Sequence, residues 1–590
     1  MALACPYGNR VVLSKHSRRT AACVGPDQST LPDREKEEQP VQIHKKKMRL
    51  SAVLLTLALG ATACGGNGTD DGGGDNASSG GTFSYTITNP ENPLVPGNTS
   101  ESEGTQVIQA LFTGLVTYDV ETSKLEMEGV AESVESDDST LWTVTLKEGW
   151  TFHDGTPVDA ESFVDAWNYT ALSTNAQGGS SFFSNIEGYD DLQAETDDND
   201  VVTKPPTAEE MSGLKVVDPQ TFTVKLSAPF AQFPLTLGYN PFYPLPKAFF
   251  TDPEGFGTKP IGNGPFKADE AFRQDVGFTM TRFEDYAGDK AKADAVEIKV
   301  IPDVNTAYLE VQNGSLDILD TVPPEVIATA PDEFGDRFIE RSSSTFTYMG
   351  FPTYDPRYDD KRVRQAFSMA IDRAAITKAI FNDTRDPAFS AISPVVDGSR
   401  DDACKFCEYD PAAAKALLAE TDFDTSQPID LWFNAGAGHD AWVTAVGNQL
   451  RENLGVTYAL KGDLTFSQYL SEVGRVKKFT GPFRLGWGMD YPSPQNYLEP
   501  LYTESALPPG SNTAFYVNPA FDAKVQEGNE AESNDEAVEL YQEAEDILLE
   551  DMPIMPMFFG KLQSVHSEKV SNVAFDAFGR ADLANVTVNQ

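Results

Sequence analysis

Residues 141–171 read LWTVTLKEGWTFHDGTPVDAESFVDAWNYTA. Apolar and polar residues alternate from Leu141 to Lys147, the period of a half-buried strand. The run His153-Asp154-Gly155-Thr156-Pro157 is turn chemistry, with His153 expected to brace the loop. A helix is predicted to open near Asp159, whose carboxylate can cap its first free N–H groups. Strand, turn and helix in one short run point to a mixed α/β chain.

The same grammar extends in both directions. TFSYTITNP (82–90) alternates as a strand ending in turn residues, and TQVIQALFTGLVTYD (105–119) reads as a helix running into a short strand. GLKVVDPQTFTVKLSAP (213–229) is two strands about a D-P turn, and AVEIKVIPDVNTAYLEVQNGSLDILD (295–320) is strand, helix, turn, strand. Residues 171–216 are polar and broken, and are expected to be a surface elaboration. In DKRVRQAFSMAIDRAAITKAIF (360–381), Val363, Ala366, Phe367, Ala370 and Ile371 recur at helical spacing, which predicts one long helix. Strands and helices alternate through 430–490, and a last long helix from Asn534 is stopped by Pro553.

At 590 residues the chain is too long for one core, so more than one lobe is expected. A hydrophobic content of 40% and an aromatic content of 11% fit a folded protein. The net charge of -45 repels phosphate backbones and anionic headgroups, which argues against nucleic acid as a partner. The acidity belongs to the body of the chain, because residues beyond 63 hold 35 basic and 85 acidic side chains.

KKKMRLSAVLLTLALGATAC (45–64) has a basic start, an apolar run from Leu50 to about Leu59 and small residues before Cys64. That run is shorter than the ~20 residues of a membrane-spanning helix and fits a signal peptide over 48–63. ATAC followed by Gly65 resembles a bacterial lipobox, which implies cleavage before Cys64 and lipidation of its thiol. GGNGTDDGGGDNASSGG (65–81) then reads as a flexible tether. Residues 1–47 are polar and aperiodic, and are expected to be a non-native or disordered extension ahead of Met48.

A search for chemistry returns little. There is no nucleophile elbow, no P-loop and no dinucleotide-binding glycine fingerprint between a strand and a helix. The five histidines, His16, His44, His153, His439 and His566, lie far apart and form no zinc spacing. Cys404 and Cys407 are the only close cysteine pair; a redox pair, half a metal site and a small structural disulfide are all compatible with the spacing. Without a second pair, or a clear helix following, the local disulfide is the expectation. No cofactor or metal is expected.

RLGWGMDYPSPQNYLEP (484–500) sets one carboxylate, Asp490, among Trp487, Met489 and Tyr491. An acid in apolar surroundings is costly unless it meets a cation or hydrogen-bond donors. Two bland alternatives stand beside that reading: Asp490 caps the following turn, and Trp487 is core packing.

Several stretches together resemble the family 5 solute-binding proteins of ATP-driven importers, the oligopeptide, dipeptide and nickel binders. They are ALFTGLVTYD, WTVTLKEGWTFHDGTPVDAESFVDAW, PIGNGPFK, NTAYLEVQNGSLDI, DKRVRQAFSMAIDRAAI, GWGMDYPSPQNYL and YQEAEDILLEDMPIMPMFF, in the family's order from about Thr82 to Phe559. The resemblance implies a two-lobed periplasmic-binding-protein-like α/β fold of class II type, with hinge strands and an extra subdomain in the larger lobe. The larger lobe would comprise 82–346 plus 556–590, and the smaller 347–555. It implies a monomeric receptor and not an enzyme, taking a peptide between the lobes and handing it to an ABC permease. By the same resemblance Asp490 pairs with the peptide's α-amino group, Trp487 and Tyr491 wall the pocket, and the loop NPENPLVPGN with Asn92 approaches from the other lobe. With the lipid anchor, this places the protein on the outer face of the cytoplasmic membrane of a Gram-positive cell. A sugar, opine or metal-chelate binder, or a secreted hydrolase, is the alternative.

Overall fold

The computed structural model describes residues 80–196, 202–508 and 510–589. The expected extension over 1–47, the signal segment 48–63, and Cys64 with its tether to residue 79 lie outside them. Among the described residues no helix is long and apolar enough to cross a membrane, and no group of His, Cys, Asp or Glu could hold a metal ion.

The opening stretch folds as its pattern requires. Strand Leu141–Leu146 buries Trp142, Val144 and Leu146 on one face. Helix Ala160–Ala171 begins at a capping box, in which the Asp159 carboxylate accepts from Ser162 N at 3.0 Å and the Asp159 backbone N donates to Ser162 Oγ at 3.2 Å. Its inner face buries Phe163, Val164 and Trp167, and the Trp167 indole donates to the Phe242 carbonyl at 3.0 Å. His153 braces the turn against the PIGNGPFK segment: Gly262 N donates to its Nδ1 at 3.0 Å, and its Nε2 meets the Gly264 carbonyl at 3.2 Å. Burial holds the imidazole down at about 4, so it is neutral and can accept. Gly262 is required there, since a Cβ would sit 1.8 Å from the Leu111 carbonyl.

An 11-stranded mixed sheet runs through the molecule, in the order 266–268, 277–282, 295–300, 82–87, 318–319, 554–566, 338–350, 483–487, 429–432, 458–461, with 385–387 paired beside 554–566. Its two central strands, Phe338–Gly350 and Ile554–His566, are 13 residues each and antiparallel. They are continuous between two hydrophobic cores. One core gathers Phe83, Ile108, Trp167, Phe222, Ile298 and Phe575; the other gathers Phe346, Phe367, Trp442, Tyr497, Leu548 and Phe558. The pairing of the central strands breaks register between Ser342 and Phe346, where a bulge bends the ribbon. A separate four-stranded sheet, 131–135, 141–146, 221–225 and 214–218, packs on the first core. The architecture is the expected two-lobed α/β fold.

Two expectations need correction. The helix predicted over 360–381 is two helices, Lys361–Met369 and Arg373–Phe381. Asp372 interrupts the apolar spacing and caps the second helix, accepting from Ala375 N at 2.9 Å. Residues 171–216 are not merely a surface elaboration: Phe183, Ile186, Leu192 and Met211 are buried in the first core. Phe183 and Leu192 sit in 3-10 turns, and Ile186 and Met211 in irregular backbone, all among polar neighbours, so no period exposes them to a sequence reading.

Cys404 and Cys407 are joined as a disulfide with a Cα–Cα distance of 5.3 Å. The Cys407 carbonyl accepts from the buried Arg373 guanidinium at 2.8 Å, which also donates to the Pro556 carbonyl at 2.6 Å. Burial among carbonyls lowers that guanidinium to about 9. The bridged loop is thereby tied to one of the two central strands.

Candidate functional site

Strand Phe483–Trp487 ends beside the central ribbon, pairing with 338–350, and its exit leads into helix Gln495–Tyr502. The residues between, Gly488 to Pro494, form the wall that carries Asp490. Ser493 closes the turn into the helix, since its Oγ accepts from Gln495 N at 3.0 Å. The N-cap position is Pro494, with Ser493 just ahead of it taking the first helical N–H, while Asp490 lines a cavity of about 520 Å³, a size suited to a small ligand.

Asn496 positions the acid. Its Oδ1 accepts from the Asp490 backbone N at 2.9 Å and from the Trp487 indole at 3.2 Å, and its Nδ2 donates to Asp490 Oδ2 at 3.3 Å. Burial raises the Asp490 carboxyl above its usual range, and the Asn496 amide opposes that shift. Tyr491 is buried, and its hydroxyl donates to Gln495 Oε1 at 2.7 Å. Burial, and next the Glu499 charge, push that hydroxyl far above its ordinary value. Trp487, Asp490 and Tyr491 thus line one cavity.

The opposite wall comes from the first core: Phe182, Ile186, Phe230, Phe233 and Tyr239. A cavity of about 570 Å³ beside Tyr118 and Arg580 is lined by residues 106–286 and 576–585 alone, whereas the Asp490 cavity takes walls from both cores. Behind the Asp490 loop, Gln232 bridges the two sides. It accepts from Ser493 Oγ and donates to Asn534 Oδ1 at 2.8 Å, while Ala231 N donates to the Asn529 carbonyl at 2.9 Å.

Asn92 is not brought into this cavity. Its amide donates to Glu101 Oε2 at 3.2 Å, and of the early loop's neighbourhood only Ser100 reaches the lining. The Asn92 side chain is used to tie the loop to the start of helix Ser102–Leu111.

Sequence reading gave no binding role to two further groups, Arg484 and His439. Arg484, at the head of the same strand, is half-buried and donates to Asn434 Oδ1 at 3.3 Å, but its buried Nε has no hydrogen-bond partner among the described residues. His439 Nε2 is buried and likewise unpartnered, and the ring is lowered to about 4 by burial and then by the charge of Arg484. Their signal in the sequence, one Arg in a strand and one His in a glycine-rich loop, has no motif to lift it above background.

With the geometry in place, comparison with known proteins gives the class. The model of the bacterial extracellular solute-binding proteins, family 5, matches residues 127–508, and the chain belongs to that family. It is an extracytoplasmic solute-binding protein and not an enzyme. It is similar to the periplasmic oligopeptide-binding protein OppA of Salmonella typhimurium, at 28% identity over 77% of this chain and 82% of the relative. The oligopeptide-binding protein OppA of Bacillus subtilis is 25% identical over 92% of this chain and 99% of its own length. Among solved structures, an unliganded open form of the murein tripeptide-binding protein MppA superposes with a TM-score of 0.75, at 23% identity, covering 87% of this chain and 98% of that one.

Proposed function

We propose that this chain is the lipid-anchored receptor of an ABC importer that captures short peptides between its lobes. In this reading the Asp490 carboxylate receives the peptide's α-amino group and Trp487 and Tyr491 wall its first residue. The observation that carries it is a single cavity, walled by both cores, in which a buried-shifted carboxylate is held at a fixed angle by Asn496. A ligand lacking the amine leaves that carboxylate to bear its desolvation, a penalty of roughly 3–5 kcal/mol for a broken buried pair. The relatives named as oligopeptide-binding proteins support the choice of peptide over other solutes.

Arg484 extends the reading to the other end of the ligand. Five residues lie between it and Asp490, the first three of them in strand Phe483–Trp487, so the two are at most about 20 Å apart at ~3.3 Å per residue. An extended peptide of a few residues would span that interval, its carboxylate reaching the Arg484 guanidinium beyond the lining of the Asp490 cavity, which includes neither Arg484 nor His439. The lobes are assigned to 82–346 plus 556–590 and 347–555, with the second core crossing those bounds at Phe346, Met557, Phe558 and Phe559 on the central strands. Closure of the lobes on ligand would present the closed form to the permease. Cys64, lipidated on the outer face of a Gram-positive cytoplasmic membrane, would anchor a monomeric receptor through the glycine-rich tether.

Native mass spectrometry of protein purified without refolding tests the ligand class. Short peptides with free N-termini are expected on release; a sugar or a metal chelate in their place overturns the reading. Detergent partitioning of a Cys64→Ser variant tests the anchor, with loss from the membrane fraction expected.

A further inference from the structure

The Asp490 cavity holds a second acid whose role the amine-binding reading leaves open. Helix Gln495–Tyr502 presents Glu499 one turn beyond Gln495, on the same face and in the cavity lining. Its Oε2 accepts from Gln495 Nε2 and from Asn529 Nδ2 at 3.0 Å, and Asn529 is held in turn by the Tyr541 hydroxyl at 2.6 Å. Those bonds fix the carboxylate by one oxygen. Its Oε1 accepts no hydrogen bond among the described residues, and the side chain makes no ion pair there.

The rest of the lining shows what would suit that oxygen. The described lining residues include Asp490 and Glu499 but no Lys, Arg or His, so the cavity is anionic at two places. Between and around them stand aromatic faces from both walls, among them Phe182, Tyr239, Trp487 and Tyr491. An anionic tip reached past aromatic rings matches a long cationic side chain, whose methylenes pack on the rings while its charged head meets the acid. The two acids are close in the network: Asp490 is held by Asn496, and Glu499 by the adjacent Gln495.

We infer that Glu499 selects peptides whose first residue is lysine or arginine, pairing with the side-chain cation while Asp490 takes the α-amine. The inference rests on the peptide-receptor reading and narrows its substrate class. A residue of this kind sets specificity by the difference between two ligands that share every other contact.

Calorimetric titration of the full chain with Lys-Ala-Ala and norleucine-Ala-Ala isolates the side-chain charge. The wild type is expected to bind the lysine peptide about tenfold or more tightly, with the preference shrinking as salt is raised. In Glu499→Gln the ratio of the two affinities is expected to fall to near one. Equal binding of the two peptides by the wild type overturns the inference and leaves the peptide reading intact, as does an undiminished preference in the variant. If the wild type binds neither peptide and releases a non-peptide ligand, the receptor reading fails and this inference with it.

Discussion

Asn496 holds Asp490 at both ends, accepting from its backbone N–H at 2.9 Å and donating to its carboxylate at 3.3 Å. The same Oδ1 takes the Trp487 indole, so one amide fixes the acid and the ring beside it. Asn496→Ala is expected to weaken binding of amine-bearing peptides by about tenfold, the worth of one hydrogen bond to a charged group. Titration calorimetry against the wild type reads it; unchanged affinity would mean that the clamp does not position the acid.

The raised Asp490 carboxyl makes a stability prediction opposite in sign to the binding one. Its folded value lies above the unfolded one, so the unfolded state releases this proton more readily, and the group costs the ligand-free fold stability at pH above the folded value. Asp490→Asn is expected to raise the ligand-free unfolding free energy at neutral pH by roughly 1 kcal/mol while losing the preference for a free α-amine. Denaturant unfolding at pH 7 and pH 4 checks it, because the gain should fade as acid protonates the wild type.

His153 gives the reverse case. It is held at about 4 against an ordinary 6.5, so the unfolded state binds the proton more tightly, and the stability contributed by neutral His153 is lost as pH falls from 6.5 toward 4. His153→Ala leaves Gly262 N without its acceptor and is expected to cost about 1–3 kcal/mol at pH 7. The difference between wild type and variant should narrow at pH 5, measured by guanidinium unfolding at both values.

The Cys404–Cys407 bridge closes a very short loop, so its removal is expected to cost only roughly 2 kcal/mol. The Arg373 hydrogen bonds to the Cys407 and Pro556 carbonyls remain to hold the segment. A Cys404→Ala/Cys407→Ala double variant should melt a little lower and bind peptide as the wild type does.

What was legible in the sequence was local or ordered along the chain. Asp159 reads as a cap because its partner lies three residues on, and the strands at 82–87 and 295–300 read from their own alternation. That these two are parallel neighbours, and that 338–350 and 554–566 carry one sheet through both cores, depends on pairing across hundreds of residues that no local pattern encodes. Asp372 was hidden because the apolar spacing continues on both sides of it. At the site, Asp490, Trp487 and Tyr491 share one short segment and line one cavity, whereas Asn92 lies some four hundred residues away in sequence and serves Glu101 instead. Phe182 and Ile186 escaped notice inside a polar run, although they form the opposite wall.

The central claim is that the cavity recognises a free α-amine through Asp490. Calorimetric titration of wild type and Asp490→Asn with one peptide, free or N-acetylated, tests it most directly. The wild type should prefer the free amine by about a hundredfold or more, and Asp490→Asn should bind the two forms alike. Equal affinity of the wild type for both forms, or an undiminished preference in Asp490→Asn, would contradict it.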